Sequence, residues 1–137
     1  MWPIWLLDID GVINAFDKRA WPEEQWIQRI VTDSRSKDWT ITSAQPVLDF
    51  ITKVHEGKWA EIVWLTTWQH DANKVADALF LPHFCHIDNP MWKGERYAGP
   101  RWWKLAEVTR ELATGRPIIW TDDDISNEVL ALSRKAQ

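Results

Sequence analysis

The stretch Ile4-Trp5-Leu6-Leu7-Asp8-Ile9-Asp10-Gly11-Val12 constrains the fold more than any other, because a continuous apolar run ends there in two carboxylates and a glycine. A short apolar run bounded by a glycine turn reads as a strand buried on both faces, the pattern of a central parallel strand. Two acids one residue apart at the end of such a strand are costly to keep, since like charges out of water resist joint ionisation. A bound cation or a shared proton removes that cost. The pair is therefore a candidate for a site that holds a cation or cycles a proton.

The rest of the chain alternates strand and helix patterns. Residues 26–31 and 39–41 are strand candidates flanking the polar 33–38 turn, a hairpin expected to lie over the end of the first strand. Ser43 is the expected N-cap of a helix in which Val47, Phe50, Ile51 and Val54 recur at helical spacing until Gly57. A second buried strand is expected over 62–67. A helix follows over 71–81, with Ala72, Val75, Ala76 and Leu79 on one face and Pro82 as its stop. Residues 84–87 read as a short strand and 88–99 as a loop. Pro100 opens a third helix with Leu105, Val108 and Leu112 on one face, ended by Gly115. A fourth buried strand is expected over 117–121, and a last helix over 125–134.

This order predicts a three-layer α/β fold with an open parallel, Rossmann-like sheet, one domain over residues 1–137, and a small hairpin flap. In such sheets ligands collect outside the carboxyl ends of the strands. Three expected strands end there in polar groups: Asp8 and Asp10, then Thr66 and Thr67, then Asp122-Asp123-Asp124.

Composition narrows the class. With 137 residues the chain is long enough to bury a core without staples. No apolar run approaches the roughly 18 residues of a membrane span, and no basic segment precedes an apolar one, so a cytoplasmic protein is expected. Cys85 is the single cysteine, which leaves no internal disulfide. A net charge of −4 argues against a protein that coats nucleic acid. Twelve tryptophans against one tyrosine and four phenylalanines are more rings than the core of so small a domain hides, so some should lie near the surface.

Hard oxygen donors such as Asp8, a backbone carbonyl and Asp122 or Asp123 suit Mg²⁺, which takes one or two carboxylates plus substrate phosphate. A threonine hydroxyl at a neighbouring strand end can hold a phosphate oxygen, and a lysine near the start of the third helix can offset the remaining charge. Phosphoryl transfer asks for little more, because its catalysis is mostly positioning and charge stabilisation.

Together these residues resemble the haloacid dehalogenase-like hydrolases. The family's first motif, an apolar strand followed by Asp-x-Asp-Gly and Thr or Val, is matched by Asp8-Ile9-Asp10-Gly11-Val12. Its second, Thr or Ser directly after an apolar strand, is matched by Thr66 after Ile62-Val63-Trp64-Leu65, with Thr67 beside it. Its fourth, an acidic pair after a strand, is matched by Asp122-Asp123 after Ile118-Ile119-Trp120-Thr121. The third is a lysine between them, Lys104 or its rival Lys93. The motifs run from Asp8 to Asp123, nearly the whole chain.

The resemblance implies a small phosphatase-type member without a large cap domain. In it Asp8 attacks phosphorus and Asp10 serves as acid and base. Asp8, the Asp10 carbonyl and Asp122 or Asp123 hold Mg²⁺, and Thr66 and Lys104 bind the phosphate. The absence of a large cap implies an open cleft suited to bulky phosphoesters.

Residues 93–104 interleave Lys93, Arg96, Arg101 and Lys104 with Tyr97, Trp102 and Trp103, just after Trp92, a mixture that grips single-stranded nucleic acid by phosphate contact and stacking. With Thr67 and Trp68, the residues Lys93, Arg101 and Trp102 form the expected substrate contacts, for nucleotides or nucleic-acid ends. His83, Cys85 and His86 are zinc-ligand types, but their spacing fits no paired zinc motif, and Asp71 is read as a helix cap. The competing function is a catalytically silent module that binds phosphate or nucleic acid on the same fold.

Overall fold

A computed structural model describes residues 2–90 and 103–125. The elements are β1 (Ile4–Leu7), β2 (Trp26–Thr32), β3 (Asp38–Ala44), α1 (Gln45–Glu56), β4 (Glu61–Trp64), α2 (Ala72–Ala78), β5 (Cys85–His86), α3 (Trp103–Leu112) and β6 (Ile118–Thr121). Single 3₁₀ turns occupy Glu23–Gln25 and Gln69–Asp71.

Four strands form a parallel sheet in the order β5-β4-β1-β6, and β2 and β3 form a separate antiparallel hairpin. The sheet grows outward from β1 through β4 to β5, then returns so that β6 pairs on the other side of β1. The strand order therefore reverses beside β1, at the point where open α/β sheets bind ligands.

Alternation along the strands sorts the core into two layers. Trp5 and Leu7 of β1 and Ile62 and Trp64 of β4 pack with Leu48, Ile51 and Val54 of α1 and Val75 and Ala76 of α2. Ile4, Leu6, Val63 and Leu65 pack on the opposite face with Trp103 and Val108 of α3. The expected α/β layering is present among the described residues, as is the hairpin, which extends a few residues further than its apolar pattern indicated.

Several local expectations are corrected. Ser43 does not cap α1: it lies in β3 and its hydroxyl donates to the Ile13 carbonyl at 2.7 Å. The N-cap position is instead Ala44, and the helix starts at Gln45 with a proline in its first turn and no side-chain cap. Leu48, rather than Phe50, joins Ile51 and Val54 on the buried face of α1, and Phe50 is exposed, its ring edge against Trp5. In α3 the buried face carries Trp103, Lys104, Glu107 and Val108, while Leu112 is exposed. Two charged residues lie on this face: Lys104 meets carboxylates at the sheet edge, and Glu107 pairs with the exposed Arg110 at 3.1 Å. The strand expected to be buried over 117–121 is only partly buried, with Ile119 50% exposed, because among the described residues β6 pairs with β1 alone. The helix expected over 125–134 lies outside the described residues apart from Ile125.

Candidate active site

Asp8 follows β1 directly, and Asp122 follows β6. The two strands pair in register up to Leu7 and Thr121, and the Asp8 N–H donates to the Thr121 carbonyl, so the two acids emerge side by side. Lys104, one residue into α3, reaches both: its ammonium lies 3.0 Å from Asp8 Oδ2 and 2.6 Å from Asp122 Oδ2. All three side chains are buried. The other oxygen of Asp8 accepts the Ile9 N–H at 2.8 Å. Burial pushes the Asp8 carboxyl up to about 6; Lys104 pulls it down, and Asp122 adds to the rise.

Asp123 completes a cluster in which Asp8, Asp122 and Asp123 each bring one carboxylate oxygen within 4.8 Å of the others. Burial and the neighbouring Asp122 hold its carboxyl above the usual range. Three hard oxygen donors set this close together could hold a metal cation, and one ammonium lies between two of them. Asp122 and Asp123 both belong to the cluster. Gly11 makes room for it: its φ is +79°, and a Cβ there would overlap the Asp123 side chain.

The Asp10 carboxylate is not part of that cluster. Its Oδ1 accepts from Asn14 Nδ2 at 3.0 Å and its Oδ2 from Trp68 Nε1 at 3.2 Å. The two acids of the motif thus differ in surroundings, one among carboxylates and an ammonium, the other among neutral donors.

Thr66 is buried behind β4, and its hydroxyl accepts the Trp68 N–H at 3.3 Å. Thr67 is exposed and lines a cleft of about 190 Å³ with Asp10, Trp68, Asp33, Ser34, Arg35, Trp39 and Asp71. Lys93, Arg101 and Trp102 lie outside the described residues.

Asp71 does not cap α2. Its Oδ2 accepts the Ser34 N–H at 3.1 Å and hydroxyl at 2.8 Å, and Lys74 lies 3.3 Å from its other oxygen. Burial raises its pKa, but the Ser34 donors, Lys74 and His70 outweigh that and hold the carboxyl below the usual range. The histidines near Cys85 are occupied by acids, His83 by Asp77 at 2.5 Å and His86 by Asp88 at 2.8 Å, and Cys85 is exposed.

Hairpin residues Asp33, Ser34, Arg35 and Trp39, and Asn14 beside Asp10, were not singled out from the sequence. The polar 33–38 turn was legible as a turn. That it would fold back against the residues after β4 depends on tertiary packing. For Asn14 a local signal existed, an amide four residues after Asp10 and within side-chain reach of it.

No helix among the described residues is long and apolar enough to cross a membrane. In comparisons with protein-family models, curated proteins and solved structures, nothing matches this chain.

Proposed function

We propose that the chain is a Mg²⁺-dependent phosphomonoesterase, working through an aspartyl-phosphate on Asp8 in a haloacid dehalogenase-like core without a large cap. The observation that carries this reading is the buried Asp8–Lys104–Asp122 group at the reversal of strand order, where a carboxyl pushed up to about 6 sits beside an ammonium. Perturbed acids with a specific charge partner, at the ligand-binding edge of a parallel sheet, mark a candidate functional site.

Asp8, Asp122 and Asp123 would hold the metal. When bound, Mg²⁺ supplies positive charge that offsets the charge on the phosphoryl oxygens. In the first step an Asp8 oxygen bonds to phosphorus, the bond from phosphorus to the ester oxygen breaks, and Asp10 gives its proton to the departing alcohol. In the second, Asp10 takes a proton from water as the water oxygen bonds to phosphorus. The bond to Asp8 breaks, inorganic phosphate leaves, and both carboxyls return to their starting forms. Asn14 and Trp68 keep the Asp10 carboxyl apart from the three clustered acids, where it can exchange protons without competing for the cation. Lys104 and Thr66 hold the phosphoryl oxygens.

Hydrolysis of an aryl phosphate with Mg²⁺ tests the reading. The wild-type chain should turn over and Asp8→Asn should fall to background. Turnover retained in Asp8→Asn overturns the assignment, and phosphate binding without hydrolysis over a broad panel of esters makes the chain a silent binding module instead.

A further inference from the structure

The cleft beside Asp10 is walled by two tryptophans whose positions are fixed by their own N–H groups. Trp68 donates to Asp10 Oδ2 at 3.2 Å and Trp39 donates to Asp33 Oδ2 at 2.9 Å. The rings meet edge to face, with centroids 5.9 Å apart and planes at 64°, and Lys37 lies 4.0 Å from the Trp39 ring centroid. The hairpin that carries Trp39 is tied down at its tip, where Ser34 donates twice to the buried Asp71. An aromatic corner held by four hydrogen bonds is preorganised, so a ligand entering it spends little on ordering the wall.

This inference rests on the phosphatase reading. In an in-line displacement the leaving oxygen departs opposite the nucleophile, and the group that protonates it must lie within hydrogen-bond reach. Asp10 is that group and also lines the cleft, so the alcohol half of the ester is directed into the aromatic corner. Indole walls favour a flat π system over a flexible polyol, because every nucleobase has a face on which to stack.

We infer that the Trp39–Trp68 cleft is a leaving-group subsite for a nucleoside, and that the substrates are phosphate monoesters of nucleosides. A free nucleotide and the 5′-phosphorylated end of an oligonucleotide share this chemistry.

The test compares kcat/KM, with Mg²⁺, for adenosine 5′-monophosphate, a 5′-phosphorylated oligonucleotide and ribose 5-phosphate, which keeps the ester and lacks the base. The wild-type chain should favour at least one base-bearing ester over ribose 5-phosphate by about tenfold or more, the contribution of a single stacked base. Which of the two is faster identifies the source. In Trp39→Leu this preference should collapse toward one, and Trp39→Phe, which restores a ring, should recover part of it. Equal turnover of all three esters by the wild-type chain overturns the subsite and leaves the phosphatase reading standing. A preference that survives Trp39→Leu also overturns it. Hydrolysis of none of them or of any aryl phosphate overturns both.

Discussion

Asp8 and Asp10 stand one residue apart and differ in everything that decides a carboxyl's behaviour. Asp8 is buried against an ammonium and two further carboxyls, whereas Asp10 faces an amide and an indole N–H. Gly11 sits where the chain parts them. Its positive φ would cost an L-residue about 1 kcal/mol or more, and a Cβ would force the Asp123 side chain aside. Gly11→Ala should therefore destabilise the protein and weaken Mg²⁺ binding together. In the Asp123→Ala background, where the overlap is relieved, the stability cost should shrink to the backbone strain alone. Denaturant unfolding of the four proteins measures this coupling, and strictly additive effects would refute the steric role of Asp123. At this scale residue types were legible, because acids at the end of an apolar strand demand an explanation from the sequence alone. The partners of Asp10 were less so, since Trp68 is brought to it only by the pairing of β4 with β1.

The hairpin is the element whose position matters most. Its base is joined to the loop after β1, where Asn14 Oδ1 accepts the Thr42 N–H at 3.0 Å, the Ala15 N–H donates to the Thr42 carbonyl at 2.8 Å, and Ser43 donates to Ile13. Its tip is joined to the segment before α2 by Ser34 and Asp71, with His70 Nε2 3.1 Å from the Ser34 hydroxyl. Removing the acceptor should free the tip while the base holds. Asp71→Ala should raise amide exchange at residues 34–37 and raise KM for base-bearing esters, with a stability loss of only about 1 kcal/mol, because the Ser34 donors it releases are on an exposed residue and can turn to water. Hydrogen exchange that rises equally at residues 42–44 would contradict a separate latch at the tip. The strands of the hairpin could be read from β-branched and aromatic runs around a polar turn, but the latch could not, because Asp71 looks like an ordinary helix cap. The same ambiguity misdirected the reading of α3. Leucine spacing suggested one face, and the buried charge partners of Lys104 selected another.

For the molecule as a whole, the alternation of strand and helix was enough to specify an α/β sheet, while the strand order was not, since nothing local tells β6 to pair beside β1. That pairing brings Asp8 and Asp122 together and makes stability depend on pH in a defined direction. Burial raises Asp8 from an ordinary 3.8 to about 6, so between these values the folded chain holds more protons than the unfolded one. Stability contributed by that proton is present at low pH and is lost as pH rises toward 6 and beyond, by an amount on the order of 3 kcal/mol. Asp123, also raised, acts in the same sense. Asp71, held low, acts in the opposite sense, and its contribution is lost only as pH falls below the ordinary carboxylate range. A divalent cation binds the ionised acids, so it should restore what deprotonation removes, stabilising in proportion to the logarithm of its excess over Kd. The rise in Tm caused by Mg²⁺ over a chelator should therefore be small near about pH 4.5 and large near about pH 7. In Asp8→Asn, where the titrating group and one donor are gone, the difference between the two pH values should flatten. Thermal scans across this range, with and without Mg²⁺, decide the matter. A Mg²⁺ effect that is independent of pH, or unchanged in Asp8→Asn, would detach the cation from the cluster where β1 and β6 end.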